Sequence, residues 1–172
     1  MELQQNRVSG ADIAIPYTLW ALIIGNKRDA AAWRVLAVYL ASHGEWREAL
    51  DATEQALLLD PDDVEAIRIG AAAMILGNEI ESARESLLLA SRVEADERTE
   101  LALGLVAEIL GDVSEASAYY AKCGGEVHKE LCRVRMHYDA KITAVVCLLG
   151  GEPEHYACSA LWMSPSPSEC SH

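Results

Sequence analysis

The stretch GEWREALDATEQALLLDPDD, residues 44–63, joins a Gly, an amphipathic run seeded with Ala, and an Asp-Pro stop. Whether it occurs once or recurs decides the fold. It recurs: GNEIESARESLLLASRVEAD begins at Gly77 and GDVSEASAYYAKC at Gly111. In each copy a Gly and a short polar run lead to a small residue entering an apolar stripe. These are Ala49, Ala83 and Ala116, spaced 34 and 33 residues apart. A second helical pattern precedes each copy. Residues 33–41, 66–76 and 100–110 carry apolar side chains at three- and four-residue spacing, the period of one helix face.

The chemistry of these positions fits paired helices. Helices that cross closely need small residues where their axes meet. Gly44, Gly77 and Gly111 are expected to end the first helix of each pair in a left-handed conformation that Gly adopts without strain. Pro61 cannot continue a helix and closes the second one. Asp29 and Asp63 stand where N-caps are needed. A single pair cannot bury its own stripe, so stacked pairs must share one core.

A helix-turn-helix period of 34 resembles the tetratricopeptide repeat. In the first unit Trp33, Leu36, Ala37, Gly44, Ala49, Ala56 and Pro61 match that family's pattern. The second keeps Ala71, Ala83 and Ala90 but has Ile67 for Trp and Ala95 for Pro, with Gly77 one residue early. The third keeps Leu103, Gly104, Gly111 and Ala116, followed by Tyr120 and Cys123. The expected fold is an all-α solenoid of about three such repeats, with capping helices at both ends. The units are 30–63, 64–96 and 97–123, after an N-terminal segment 1–29 with an apolar helix. A C-terminal cap, 124–163, reads as a long helix over 126–149 and a possible degenerate fourth repeat, before a disordered tail, 164–172.

Of the net charge of −13, all falls within residues 45–120, which hold eighteen carboxylates and five Arg. So acidic a surface repels phosphate and argues against nucleic acid as a partner. No apolar run reaches the ~20 residues of a membrane span. The run IAIPYTLWALIIG from Ile13 contains Pro16, and the acidic Glu2 and Asp12 before it argue against a signal-peptide core. The five Cys, at 123, 132, 147, 158 and 170, form no CxxC and fit a reducing cytoplasm.

No catalytic constellation is evident, and the chain is read as non-enzymatic, without cofactor or metal. His128 and Cys132 share a helix face, and His155 and Cys158 sit three apart, but the spacing matches no zinc finger. They are read as packing and surface residues. A metal- or thiol-based regulator built on these C-terminal Cys and His residues is the alternative from a different class.

What the resemblance implies is a binding module whose first helices line a concave groove. The lining would be Ala31, Arg34, Val38 and Ala41, then Arg68, Ala72, Ile75 and Leu76, then Leu101, Leu105 and Ile109. Such a mostly apolar groove suits a hydrophobic protein client, taken as an extended segment or an amphipathic helix. Arg34 and Arg68 would orient the client. Leu19, Trp20, Leu22 and Ile23 make an apolar face that either covers the first repeat or joins a second copy in a homodimer. The layout also resembles the small tetratricopeptide chaperones of bacterial type III secretion, which implies a cytosolic holder of a secreted hydrophobic subunit. A generic assembly adaptor is the alternative.

Overall fold

In the computed structural model, the described residues are Leu19, 23–123 and 139–150, and among them the structure is helical with no strand. Three antiparallel pairs follow one another: α1 (Ala30–Ser42) with α2 (Trp46–Leu59), α3 (Val64–Leu76) with α4 (Ile80–Val93), and α5 (Glu97–Leu110) with α6 (Val113–Tyr120). Among the described residues a further helix, α7 (Ala140–Leu149), comes last. Each pair packs on itself, α2 packs on α3, α4 on α5, and α1 on α3. This makes an inner row of α1, α3 and α5 and an outer row of α2, α4 and α6.

The starts of the inner helices are built alike. Asp29, Asp63 and Asp96 each cap their helix, accepting from the backbone N–H of Ala31, Ala66 and Thr99 respectively. Such a bond satisfies one of the N–H groups that a helix start leaves orphaned. Of the outer helices, only α6 has a side-chain cap, from Asp112 to the Glu115 N–H. Glu45 and Glu79 precede α2 and α4 without one.

The ends of the inner helices repeat as well. At each, two backbone bonds close the turn: Glu45 N–H to Leu40, Glu79 N–H to Met74, and Asp112 N–H to Ala107, each with a bond of shorter sequence span beside it. This arrangement needs one left-handed residue. It is Gly44 at φ 81, Asn78 at φ 63 and Gly111 at φ 85, which keeps the 34- and 33-residue spacing intact.

Gly77 is therefore not the left-handed residue, contrary to the sequence expectation; its φ is −76. Its reason is proximity. A Cβ on Gly77 would lie 2.7 Å from the Trp46 ring, which packs across the end of α3. We expect Gly77→Ala to destabilise the protein by about 1–3 kcal/mol through this overlap. The same change in a Trp46→Ala background is expected to cost little; equal losses in both backgrounds, measured by urea unfolding, would contradict the contact.

Small residues occupy the crossings. Ala37, Ala41, Ala49, Ala56, Ala71, Ala83, Ala90 and Ala102 are fully buried. Ala49 lies in the core of the first pair and Ala83 in that of the second and third. Ala49→Leu or Ala83→Leu is expected to cost about 1–3 kcal/mol by overpacking. Thermal melts unchanged in both variants would count against this register.

Upstream, Leu19 and residues 23–25 are helical, and Leu19 and Ile23 are buried against Leu36, Leu40 and Ala41. Of the two readings of that apolar segment, these residues support cover for the first pair rather than an exposed dimer surface. Trp20 and Leu22 lie outside the described residues.

The continuous helix expected over 126–149 is not what forms. Asp139 has an extended backbone, φ −71 and ψ 173, and its side chain accepts from the Ile142 N–H, so a new helix starts at Ala140.

Candidate functional site

The inner row carries the residues expected from the sequence to line a groove, and α7 lies on it. α7 packs against α3 and α5. Its Lys141 reaches Asn78, beyond the end of α3, while the Cys147 thiol donates to the Arg98 carbonyl at the start of α5. α3 and α5 run parallel, because Arg68 near the start of α3 pairs with Asp96 at the start of α5. α7 is consequently antiparallel to both.

The seam between them is apolar. Ala72, Ile75, Leu101 and Leu105 share one buried cluster with Ala140, Ile142, Ala144, Val145, Cys147 and Leu148. The last five of these, together with Thr143, are all buried, so α7 is enclosed around its whole circumference. A helix apolar on every side must be covered on every side.

This placement corrects the picture of an open groove along the second and third units. Ala72 is 0 % exposed, Ile75 and Leu101 2 %, and Leu105 4 %. Ala41 is also fully buried, within the first pair's core. Leu76 and Ile109 are half-buried and pack against the same clusters. Of the expected lining, Ala31 alone is exposed, and Arg34 and Val38 are partly so.

The two arginines serve the array itself. Arg34 bonds Asp63 at 3.3 Å, and Arg68, 34 residues later, bonds Asp96 at 2.9 Å. Each thus ties one inner helix to the N-cap of the next, joining neighbouring units. Arg68 also pairs with Glu65 at 3.2 Å, and its Nε is buried without a partner. The sequence suggests contacts for a client, whereas the regular Arg-to-Asp spacing is the signal in it that they are staples. The outer helices α4 and α6 are joined similarly, by Arg84 and Glu115 at 2.7 Å. This bond raises the Arg84 pKa.

Gly104 shows how closely the third pair is packed. A Cβ there would lie 2.5 Å from the Tyr120 ring, whose hydroxyl donates to Glu108.

The thiols within the described residues are held by the fold. Burial pushes the Cys147 pKa up to about 12 and raises that of half-buried Cys123. A thiol so protonated is a poor nucleophile. Cys132, Cys158, Cys170, His128 and His155 lie outside the described residues. Among the described residues no group of three His, Cys, Asp or Glu is placed to hold a metal ion. Nor is any helix among them long and apolar enough to cross a membrane.

Three helix pairs at a period of 34 and 33, with one cap and one turn repeated, define a helical-repeat protein. The tetratricopeptide repeat family model matches residues 30–63, the first of these pairs. The chain therefore contains a tetratricopeptide repeat at residues 30–63, a repeat that implies a protein–protein interaction module. No curated protein matches the chain.

Proposed function

We propose that this protein is a non-catalytic holder of an apolar segment of a client protein, taken along the inner helix row. The observation that carries this reading is α7 itself. An Ala- and Val-containing helix seated on α3 and α5 displays the chemistry that this face accepts. Apolar burial supplies the affinity in such helix-in-groove recognition, and each fully buried aliphatic side chain contributes ~1.5–3 kcal/mol.

The particular form that the layout resembles is a cytosolic chaperone of type III secretion holding a hydrophobic subunit. An assembly adaptor would use the same face for a different client. Genes for a secretion apparatus beside this one favour the first, and their absence favours the second.

Site-specific photo-crosslinking in the native cell tests the shared core of both readings. A photoreactive residue is placed at Ala31, exposed on the inner row, or at Leu58, exposed on the outer α2. Partners captured at Ala31 and not at Leu58 support the inner face. Partners captured only at Leu58 contradict it.

A further inference from the structure

The geometry points to α7 as an internal occupant of the binding face, which a client helix must displace. This deepens the proposed function and rests on it: it names how access to that face is regulated. α7 is not stacked on α6 as a next unit would be. The chain returns α7 to the inner side of α3 and α5.

The manner of attachment separates α7 from the array. The array's helices are joined by ion pairs: Arg34–Asp63, Arg68–Asp96, Arg84–Glu115 and Lys122–Glu100. Among the described residues no ion pair joins α7 to it. Among the described residues the side-chain bonds from α7 to the array are two, Lys141 to Asn78 and Cys147 to the Arg98 carbonyl. The remaining hold is apolar contact, which a client of similar chemistry can replace.

The boundaries of α7 permit its release as a unit. It begins after the extended Asp139 and ends at Gly150, where φ 75 and ψ −167 suit Gly alone. α7 also has little tendency to be helical by itself. It spans ten residues, and Ile142, Thr143, Val145 and Val146 are β-branched. A helix that short is marginal in water even with favourable residues. Its order is therefore coupled to its seat.

Release uncovers Ala72, Ile75, Leu101 and Leu105 together, so opening is rare until another apolar helix takes the place of α7. The fitting partner is accordingly an apolar helix of similar length carrying small and branched aliphatic side chains. Binding of such a helix and exposure of α7 are two sides of one exchange.

Cys147 reports the exchange, being 4 % exposed when α7 is seated. The experiment alkylates the full-length chain with iodoacetamide under native conditions and locates the label by peptide mass spectrometry. The probe is a synthetic peptide of residues 139–150 carrying Cys147→Ser. The expected result is that peptide in excess speeds Cys147 labelling roughly tenfold while far-UV ellipticity is retained. In a second full-length variant, Ala144→Asp, fast labelling without peptide and a still-cooperative melt of the array are expected. The inference is overturned if Cys147 labels only with global unfolding, with the same urea dependence as the loss of ellipticity, and the peptide has no effect. It is equally overturned if Ala144→Asp unfolds the whole chain. Displacement by the peptide with no crosslink at Ala31 would leave this exchange standing and reject the client-holding function. Crosslinks at Ala31 without displacement would do the reverse.

Discussion

Ala72→Glu is expected to unseat α7 and with it to remove a large share of the protein's stability. Ala72 has no exposed surface and lies in the cluster shared by α3, α5 and α7. A carboxylate there is cut off from water, and Arg68, one turn earlier on α3, is already bonded to Glu65 and Asp96. Leaving a buried charge unpaired costs on the order of 3–5 kcal/mol, and the added side-chain volume costs more. Domains are stable by only about 5–15 kcal/mol, so the loss is a large share of the total. The control is Ala31→Glu on the same face of the first unit, where the residue is exposed. That change is expected to fall within ~0.5 kcal/mol of wild type. Urea midpoints decide the matter. Wild-type stability in Ala72→Glu would mean that the inner face of α3 is open and α7 is not seated on it.

The second large effect is alkaline. Burial raises the Cys147 pKa from 9.0 to about 12, so the folded protein excludes the thiolate. The sign follows from the proton balance. Below pH 9.0 the thiol is protonated in both states, and its contribution to stability is complete. As pH rises from 9.0 towards 12, the unfolded chain loses the proton first and stability falls. The full span corresponds to roughly 4 kcal/mol, and half of it to about 2 kcal/mol. Between about pH 8 and pH 10.5, wild type should therefore lose about 2 kcal/mol more than Cys147→Ala. Tyr and Lys titrate in both proteins and cancel in the difference. Parallel losses in the two would show that Cys147 is not buried in the fold.

The repeat was legible because its markers are local. An Asp before each inner helix, a turn residue after it and an Ala at each crossing recur at one spacing. Gly77 misled because two separate demands fall on adjacent residues. Asn78 satisfies the left-handed turn, and Gly77 makes room for Trp46. Only the second demand is non-local, and no pattern within α3 discloses it.

The inner face is ambiguous in the sequence for a related reason. An apolar inner row has the same sequence whether it awaits a client or already holds a helix of its own chain. The distinguishing signal lay elsewhere, in AKITAVVCLL at residues 140–149. That stretch is apolar on every side of a helix and so requires cover on every side. Within a single helix expected over 126–149 it is hidden, and the cap at Asp139 is what separates α7. Arg34 and Arg68 were found as the polar points of the face. Their partners, Asp63 and Asp96, stand 29 and 28 residues further on, and the pairing becomes visible only once the units are stacked.

The seating of α7 on the inner row is the claim on which the rest depends, and methyl–methyl NOE spectroscopy of the full-length protein tests it most directly. Selective labelling of Ala, Ile, Leu and Val methyls covers both sides of the seam. Cross-peaks linking Ile142, Val145 and Leu148 with Ala72, Ile75, Leu101 and Leu105 are predicted. Their absence, with the methyls of Ala72 and Leu105 instead close to water, would contradict the account.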